Sequence, residues 1–361
     1  MLHSLHIIGS RQLGGAESFF LRLVKALNAQ NHLASAVVRP DSPLVESLAD
    51  AVTVHQVAMR NGWDLLSAVK IRQLIAAAAV DVVQTYMGRA SRLTRLPKHA
   101  GAVHVARLGG FYKIDGYYRH ADAWVGNTRA LCDYLVRQGL PADRVYHISN
   151  FVEPTKEVDK SKIQDLRLEL GLPEEARVLF ALGRFIDKKG FDILIKAFAR
   201  LGKEVDGLPV HLVLAGDGPR RRTLLALAET LGLQGRLHWA GWTQDPSPYL
   251  RLADLFIVPS SHEPLGNVIL EAWSYALPVV STRTHGALEL IDDGSTGRLV
   301  PCEDEQALAA VIAECLHDRT GGLARLGAAG KAVLDARHSC AAITRAYLEM
   351  YAALCAGAGS R

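Results

Sequence analysis

Short runs of consecutive apolar, largely β-branched residues recur along this chain, separated by stretches whose apolar positions return every three or four residues. In the first half the runs are Leu5–Ile8, Ala34–Val38, Val52–Val57, Val80–Thr85, Ala102–Ala106, Ala123–Val125 and Arg144–Ile148. Helical patterns such as Ala16–Ala29 and Leu65–Ala78 lie between several of them. The pattern restarts with Arg177–Ala181, Val210–Ala215, Leu237–Ala240, Leu255–Val258, Pro278–Ser281 and Gly297–Val300. Strands that are apolar on both faces, alternating with helices, predict parallel sheets covered on both sides, and hence an α/β fold. The polar, aperiodic segment Glu153–Lys160 separates the two series and reads as a linker. It predicts one domain over residues 1–155 and a second over 156–340. An apolar helix from about Ala341 to Ala356 follows, and no repeat or low-complexity tract interrupts the order.

Composition supports two cores. The 361 residues are 49% hydrophobic and 22% charged, with a mean hydropathy of +0.09. That excludes general disorder, and the length suits two domains of roughly 150–180 residues. Met1–Ile8 is a short apolar run with no basic leader or cleavage site, so it reads as a first buried strand. No stretch approaches the roughly 18 apolar residues of a spanning helix. The best candidate, Leu74–Val83, is interrupted by Asp81. Cys132, Cys302, Cys315, Cys340 and Cys355 form no CxxC pair and no zinc-like cluster. They are expected to be unpaired thiols in a cytoplasmic protein.

Charge divides unevenly. Residues 1–155 carry 17 Lys+Arg against 11 Asp+Glu, a net of +6; residues 156–361 carry 24 against 26, a net of −2. A basic first half is suited to an anionic partner: nucleic acid, an acidic membrane face or a phosphorylated acceptor.

Candidate chemistry sits where strands end. Gly14-Gly15-Ala16-Glu17 follows the first strand and opens a helix, whose first N–H groups suit an anion. A tight strand-to-helix turn would need the same glycines, and the segment is not the GxGxxG of a dinucleotide fold. After Leu182, the loop Gly183-Arg184-Phe185-Ile186-Asp187-Lys188-Lys189-Gly190 brings Arg184 and Lys189 to a strand's carboxyl end, within reach of a pyrophosphate. Gly216-Asp217-Gly218-Pro219 reads as a turn that shapes the same wall. Most informative is Ser260–Ala272. A strand ends, a helix opens near Gly266, and the N–H groups of Leu265, Gly266, Asn267 and Val268 suit a phosphate. Glu263 precedes the helix and could accept from sugar hydroxyls or simply cap the turn; Glu271 suits the two hydroxyls of a ribose.

The run Glu263 to Glu271 resembles the E-x7-E motif of retaining glycosyltransferases of family GT4, which have the GT-B fold. Gly14-Gly15, Gly183-Arg184 with Lys189-Gly190, Gly216–Pro219, Pro278-Val279-Val280, Gly286, Glu289 and Asp293–Gly297 resemble other motifs of that family, in its order. The resemblance implies two Rossmann-like domains with parallel sheets facing across a cleft, and a terminal segment, about residues 341–361, that packs back on the first domain. It implies a nucleotide-sugar donor, a glycan or glycolipid acceptor, no nucleic acid, no metal and no cofactor. Arg184 and Lys189 would hold the diphosphate, Glu263 the transferred sugar and Glu271 the ribose. Gly183 would accompany the clamp, backbone amides of Leu265 to Val268 would meet phosphate, and Gly14 and Gly15 would lie at the donor. The catalytic set is then Glu263, Arg184 and Lys189. No D-x-D triplet is present, in keeping with a metal-independent reaction. UDP is the expected carrier, and lipopolysaccharide, capsule or other surface-polysaccharide assembly the expected setting.

The chain departs from the family at several points. Many relatives carry a histidine after a mid-domain strand, where this chain has Val105-Ala106-Arg107-Leu108; Tyr86 and His285 also replace more usual residues. Arg107 is therefore a candidate for donor or acceptor contact. Arg89, Arg92, Arg95 and Lys98 recur every third residue, which on a helix would make one basic face for an acceptor or an anionic inner-membrane surface, or a solvated face. Other readings are a sugar-nucleotide epimerase or a non-catalytic nucleotide-sugar binder of the same fold. An NAD-dependent oxidoreductase is opposed by the missing GxGxxG.

Overall fold

The computed structural model describes residues 2–96, 101–153, 155–318 and 320–358. It divides into two compact units, Met1–Glu153 with His338–Arg361, and Pro154–Arg337. In chain order the first unit contains β1 (His3–Ile8), α1 (Gly15–Ala29), β2 (Leu33–Val38), α2 (Leu44–Leu48), β3 (Thr53–Gln56), α3 (Leu65–Ala78), β4 (Val82–Tyr86), α4 (Met87–Leu93), β5 (Val103–Leu108), β6 (Ala123–Gly126), α5 (Arg129–Arg137) and β7 (Val145–His147). The second contains α6 (Lys160–Glu169), β8 (Arg177–Leu182), α7 (Phe191–Arg200), β9 (Glu204–Val205), β10 (Leu208–Ala215), α8 (Arg221–Thr230), β11 (Leu237–Gly241) and α9 (Ser247–Leu252). It continues through β12 (Leu255–Val258), α10 (Asn267–Ser274), β13 (Val279–Thr282), α11 (His285–Leu290), β14 (Arg298–Val300), α12 (Glu305–Leu316) and α13 (Gly322–Arg337). The last helix, α14 (Cys340–Ala358), belongs to the first unit.

Both main sheets are parallel and are wound alike. The first runs β3-β2-β1-β4-β5-β6-β7 and the second β11-β10-β8-β12-β13-β14. In each, the unit's first long strand is central and the order reverses beside it, the Rossmann arrangement. The two-residue β9, which pairs antiparallel with β10, is too short to leave a periodic signal. Register is set partly by carboxylates standing before strands. Asp81 accepts from the His3 N–H at 2.7 Å, Asp122 from His104 at 2.8 Å and Asp254 from Val178 at 2.8 Å. Each bond ties the start of one strand to its neighbour and satisfies an N–H that would otherwise lie at a buried strand entrance.

In the first unit, Phe19, Phe20, Leu23 and Leu27 of α1 pack with Ile343, Tyr347, Met350 and Tyr351 of α14 against the sheet. The Tyr351 hydroxyl donates to Gln84 Oε1 at 2.6 Å, and His338 pairs with Ser149 at 3.0 Å. Beneath lies a buried polar chain. Ser4 Oγ sits 2.9 Å from both His6 Nε2 and His32 Nε2, and His6 Nδ1 is 2.9 Å from the Tyr86 hydroxyl. Burial, with His32 nearby, holds the His6 imidazole down to about 3; burial beside His120 does the same to His104.

An imidazole held below its unfolded value of about 6.5 stays neutral in the fold while the unfolded chain takes up a proton, so stability falls as pH drops below that value. Taking the protein from pH 7.5 to 5 should cost on the order of 2 kcal/mol for each of His6 and His104, read as a falling melting temperature. A flat melting temperature across that interval would mean that these imidazoles are hydrated.

Candidate active site

In a parallel sheet every strand delivers its loop to the same edge. In the second unit, the loops after β8, β12 and β13 meet there backbone to backbone. After β8, a turn over Asp187–Lys189 leads to Gly190, which opens α7 at φ +63°. A Cβ at Gly190 would lie 2.1 Å from the Pro259 carbonyl, and the Ser261 N–H donates to the Lys188 carbonyl at 2.9 Å. After β13, the Gly286 N–H donates to the Glu263 carbonyl at 2.9 Å, and a Cβ on Gly286 would lie 2.2 Å from the Leu265 carbonyl. The Thr282 hydroxyl donates to the Ser260 carbonyl on the same turn. The turn carrying Glu263 is therefore held from both sides by main-chain contacts that admit no side chain.

On this platform, Lys189 Nζ and Glu263 Oε2 form a close, half-buried ion pair between the β8 and β12 loops. Arg184 is exposed on the same loop as Lys189, just past Gly183. Leu265 is buried, Gly266 caps α10 at φ +86°, and α10 carries Asn267 and Val268 in its first turn and Glu271 in its second. First-turn N–H groups have no acceptor inside a helix, and they form the positive end of its dipole. The second unit thus gathers Gly183, Arg184, Lys189, Glu263, Leu265, Gly266, Asn267, Val268 and Glu271 at one sheet edge. Two cations, two carboxylates and a helix N-terminus in that position can hold a diphosphate beside hydroxyl groups.

The first unit presents its own glycine loop. Gly14 is extended, at φ −146°, and caps α1, which starts at Gly15; both glycines are exposed. Arg107, at the end of β5, is buried and engaged. Its Nε donates to the Tyr347 hydroxyl at 3.2 Å, a second nitrogen donates to Asn150, and the guanidinium lies 4.0 Å over the Phe19 ring. These contacts tie β5 to α1 and α14, so the side chain is committed to packing within the unit, whatever it contributes beyond. Tyr86 is buried in the histidine chain, and His285 is exposed at the start of α11.

The expected helical face of Arg89, Arg92 and Arg95 does not form. Helix α4 ends at Leu93, leaving Arg95 beyond it, and Lys98 lies outside the described residues. Buried Thr94 turns extended there, and the helix ends with it. Arg89 donates to the carbonyls of Gly9 at 2.9 Å and Met59 at 3.2 Å, joining the ends of β1 and β3, while Arg92 lies 3.4 Å over the Trp63 ring.

Known proteins share both units. The Glycosyl transferases group 1 model matches residues 162–333, and the Glycosyltransferase Family 4 model matches residues 13–156. The chain is 36% identical over 341 residues to the lipopolysaccharide core biosynthesis glycosyltransferase LpsE of Rhizobium meliloti (strain 1021), covering 94% of this chain and 96% of that one. This chain belongs to glycosyltransferase family 4. LpsD of the same organism, also described as a lipopolysaccharide core biosynthesis glycosyltransferase, is 33% identical over 342 residues, 94% of this chain and 95% of its own. Among solved structures, Anabaena HepE in complex with UDP and glucose matches with a TM-score of 0.83 at 22% identity, covering 98% of this chain and 100% of its own. WaaG, a glycosyltransferase involved in lipopolysaccharide biosynthesis, matches with a TM-score of 0.71 at 18% identity, covering 96% and 99%. The fold is the GT-B fold that the motifs implied.

The reach of Gly286 was not legible from its motif alone. In the transferase it opens α11 against Leu265, so Gly286→Ala has two opposed effects. Helix propensity alone would add about 1 kcal/mol of stability. The backbone clash should outweigh it, giving a net loss of about 1–3 kcal/mol in chemical denaturation. A stabilised variant would show that the loops are not in contact.

Proposed function

We propose that this transferase moves a sugar with retention of configuration, and without a metal ion, from a UDP-sugar to a glycolipid acceptor of the lipopolysaccharide core at the inner face of a membrane. The observation that carries the reading is the Lys189–Glu263 ion pair beside the N-terminus of α10, at the carboxyl edge of a parallel sheet. Relatives named for lipopolysaccharide core biosynthesis, and a structural neighbour that binds UDP and glucose, support the substrate class.

The chemistry follows from the inventory. The bond between the anomeric carbon and the phosphate oxygen breaks, and its electron pair leaves with the diphosphate. Arg184, Lys189 and the first-turn amides of α10 stabilise that developing charge. Lys189 is already paired with Glu263, and its ammonium has further N–H donors to offer a phosphate. Glu263 accepts from the sugar's hydroxyls and fixes the ring. The acceptor oxygen attacks the face that the phosphate leaves, and a phosphate oxygen takes the acceptor's proton. Glu271 holds the ribose, away from the bonds that change.

The two carboxylates should separate kinetically. Glu271→Ala is expected to raise KM for the donor about tenfold with little change in kcat, whereas Glu263→Ala should lower kcat by roughly a hundredfold. Slow donor hydrolysis across a panel of nucleotide sugars identifies the donor, the anomeric configuration of the product tests retention, and activity in EDTA tests metal independence. Inertness toward every donor, with no thermal shift by UDP or GDP, would defeat the proposal; an interconverted donor would indicate an epimerase.

A further inference from the structure

Helix α3 is apolar on the wrong side. Ser67, Ile71 and Ile75 face inward and are buried, which is the stripe that the sheet requires. The opposite face carries Leu65, Leu66 and Val69, which are 78%, 81% and 53% exposed, with Trp63 just before the helix at 77%. Four large apolar side chains within seven residues form a patch of the kind that marks an interaction surface.

The charges around the patch select its partner. At 3.6 residues per turn, Leu66, Val69, Gln73 and Ala76 run down the middle of the outward face, with Leu65 toward one side, while Arg72 and Lys70 fall on its two edges. Exposed Arg60 stands just before Trp63, and Arg92 covers one face of that ring. The single acidic residue of this stretch, Asp64, is turned inward on its own helix, accepting from the N–H groups of Arg60 and Ser67 and from the Ser67 hydroxyl. No other Asp or Glu occurs until Asp81, and none between Asp81 and Asp115. A second copy of the chain fits poorly, since a two-fold contact would bring the cationic rim of Arg60, Lys70 and Arg72 against an equally cationic rim. An apolar stripe edged by long cationic side chains, with a tryptophan at one end, fits the boundary between acyl chains and anionic headgroups. Among the described residues no helix is long and apolar enough to cross a membrane, so the contact is one of lying on the surface.

We infer that the outward face of α3, with Trp63, docks the protein on an anionic lipid bilayer. The inference rests on the reading of the protein as a membrane-facing transferase, and it moves the contact from Arg89 and Arg95 to the start of α3. Docking here would carry the first unit to its acceptor.

The test is co-sedimentation of the full chain with vesicles of phosphatidylcholine, with and without phosphatidylglycerol. The wild type should bind the anionic vesicles, and added salt should weaken the binding. A Leu65→Gln, Leu66→Gln double variant keeps helix-compatible side chains at exposed positions. It should bind at least about tenfold more weakly, with melting temperature and donor hydrolysis unchanged. Undiminished vesicle binding by the double variant would overturn the inference. So would absence of wild-type binding, or a solution dimer that the double variant dissolves. Vesicle binding by a protein that hydrolyses no donor would sink the proposed reaction and leave the docking surface standing.

Discussion

Everything at the carboxyl edge of the second unit's sheet depends on main chain touching main chain. The β8 and β12 loops approach so closely at Gly190 and Pro259 that no Cβ fits, and the β13 loop closes on Leu265 in the same way at Gly286. These contacts bring Lys189 and Glu263, which are 74 residues apart, into an ion pair. A pair of long side chains on mobile loops would gain little from meeting, because ordering them costs as much as the attraction returns. Half-buried on a rigid platform, the same two groups are pre-oriented, which is the preorganisation that the proposed transfer would draw on.

The first unit solves a different problem with related means. Its sheet is covered by a helix from the far end of the chain, and that helix is secured by polar as well as apolar contacts. Tyr351 donates to Gln84, and Tyr347 accepts from Arg107. A buried guanidinium is costly unless its donors are met. Arg107 meets a hydroxyl, an amide oxygen and an aromatic face, so its burial locks β5 to α14. The histidine chain beneath is satisfied only while its imidazoles are neutral, which ties the integrity of this unit to pH.

Much of this was legible in advance where local rules dominate. The strand run Leu255–Val258 and the helical stretch Leu65–Ala78 form with the expected bounds, because continuous apolarity and a period near 3.6 are each sufficient signals. The expected strand at Val52–Val57 shortens to Thr53–Gln56, since an edge strand is paired on one side only. The basic repeat of Arg89, Arg92 and Arg95 misled, because spacing by three implies a shared face only if the helix continues, and α4 ends at Leu93. The patch on α3 was hidden by its own composition. A segment apolar on two faces has no clear amphipathic direction, so its periodicity announces a helix without saying which side meets solvent.

Sequence alone sufficed for the alternation of strands and helices, for the doubly covered parallel sheets and for the family, because these rest on short-range pattern and on motifs that keep their order along the chain. Tertiary structure decided which charges meet. Only the folded sheet shows that Lys189 is paired with Glu263, that Arg107 is enclosed by Tyr347 and Asn150, and that Leu65 and Leu66 face outward. The physical reason is one of range. Period and propensity act over a few residues, whereas the partner of a charge and the side of a helix that meets water are set by segments far away in the chain.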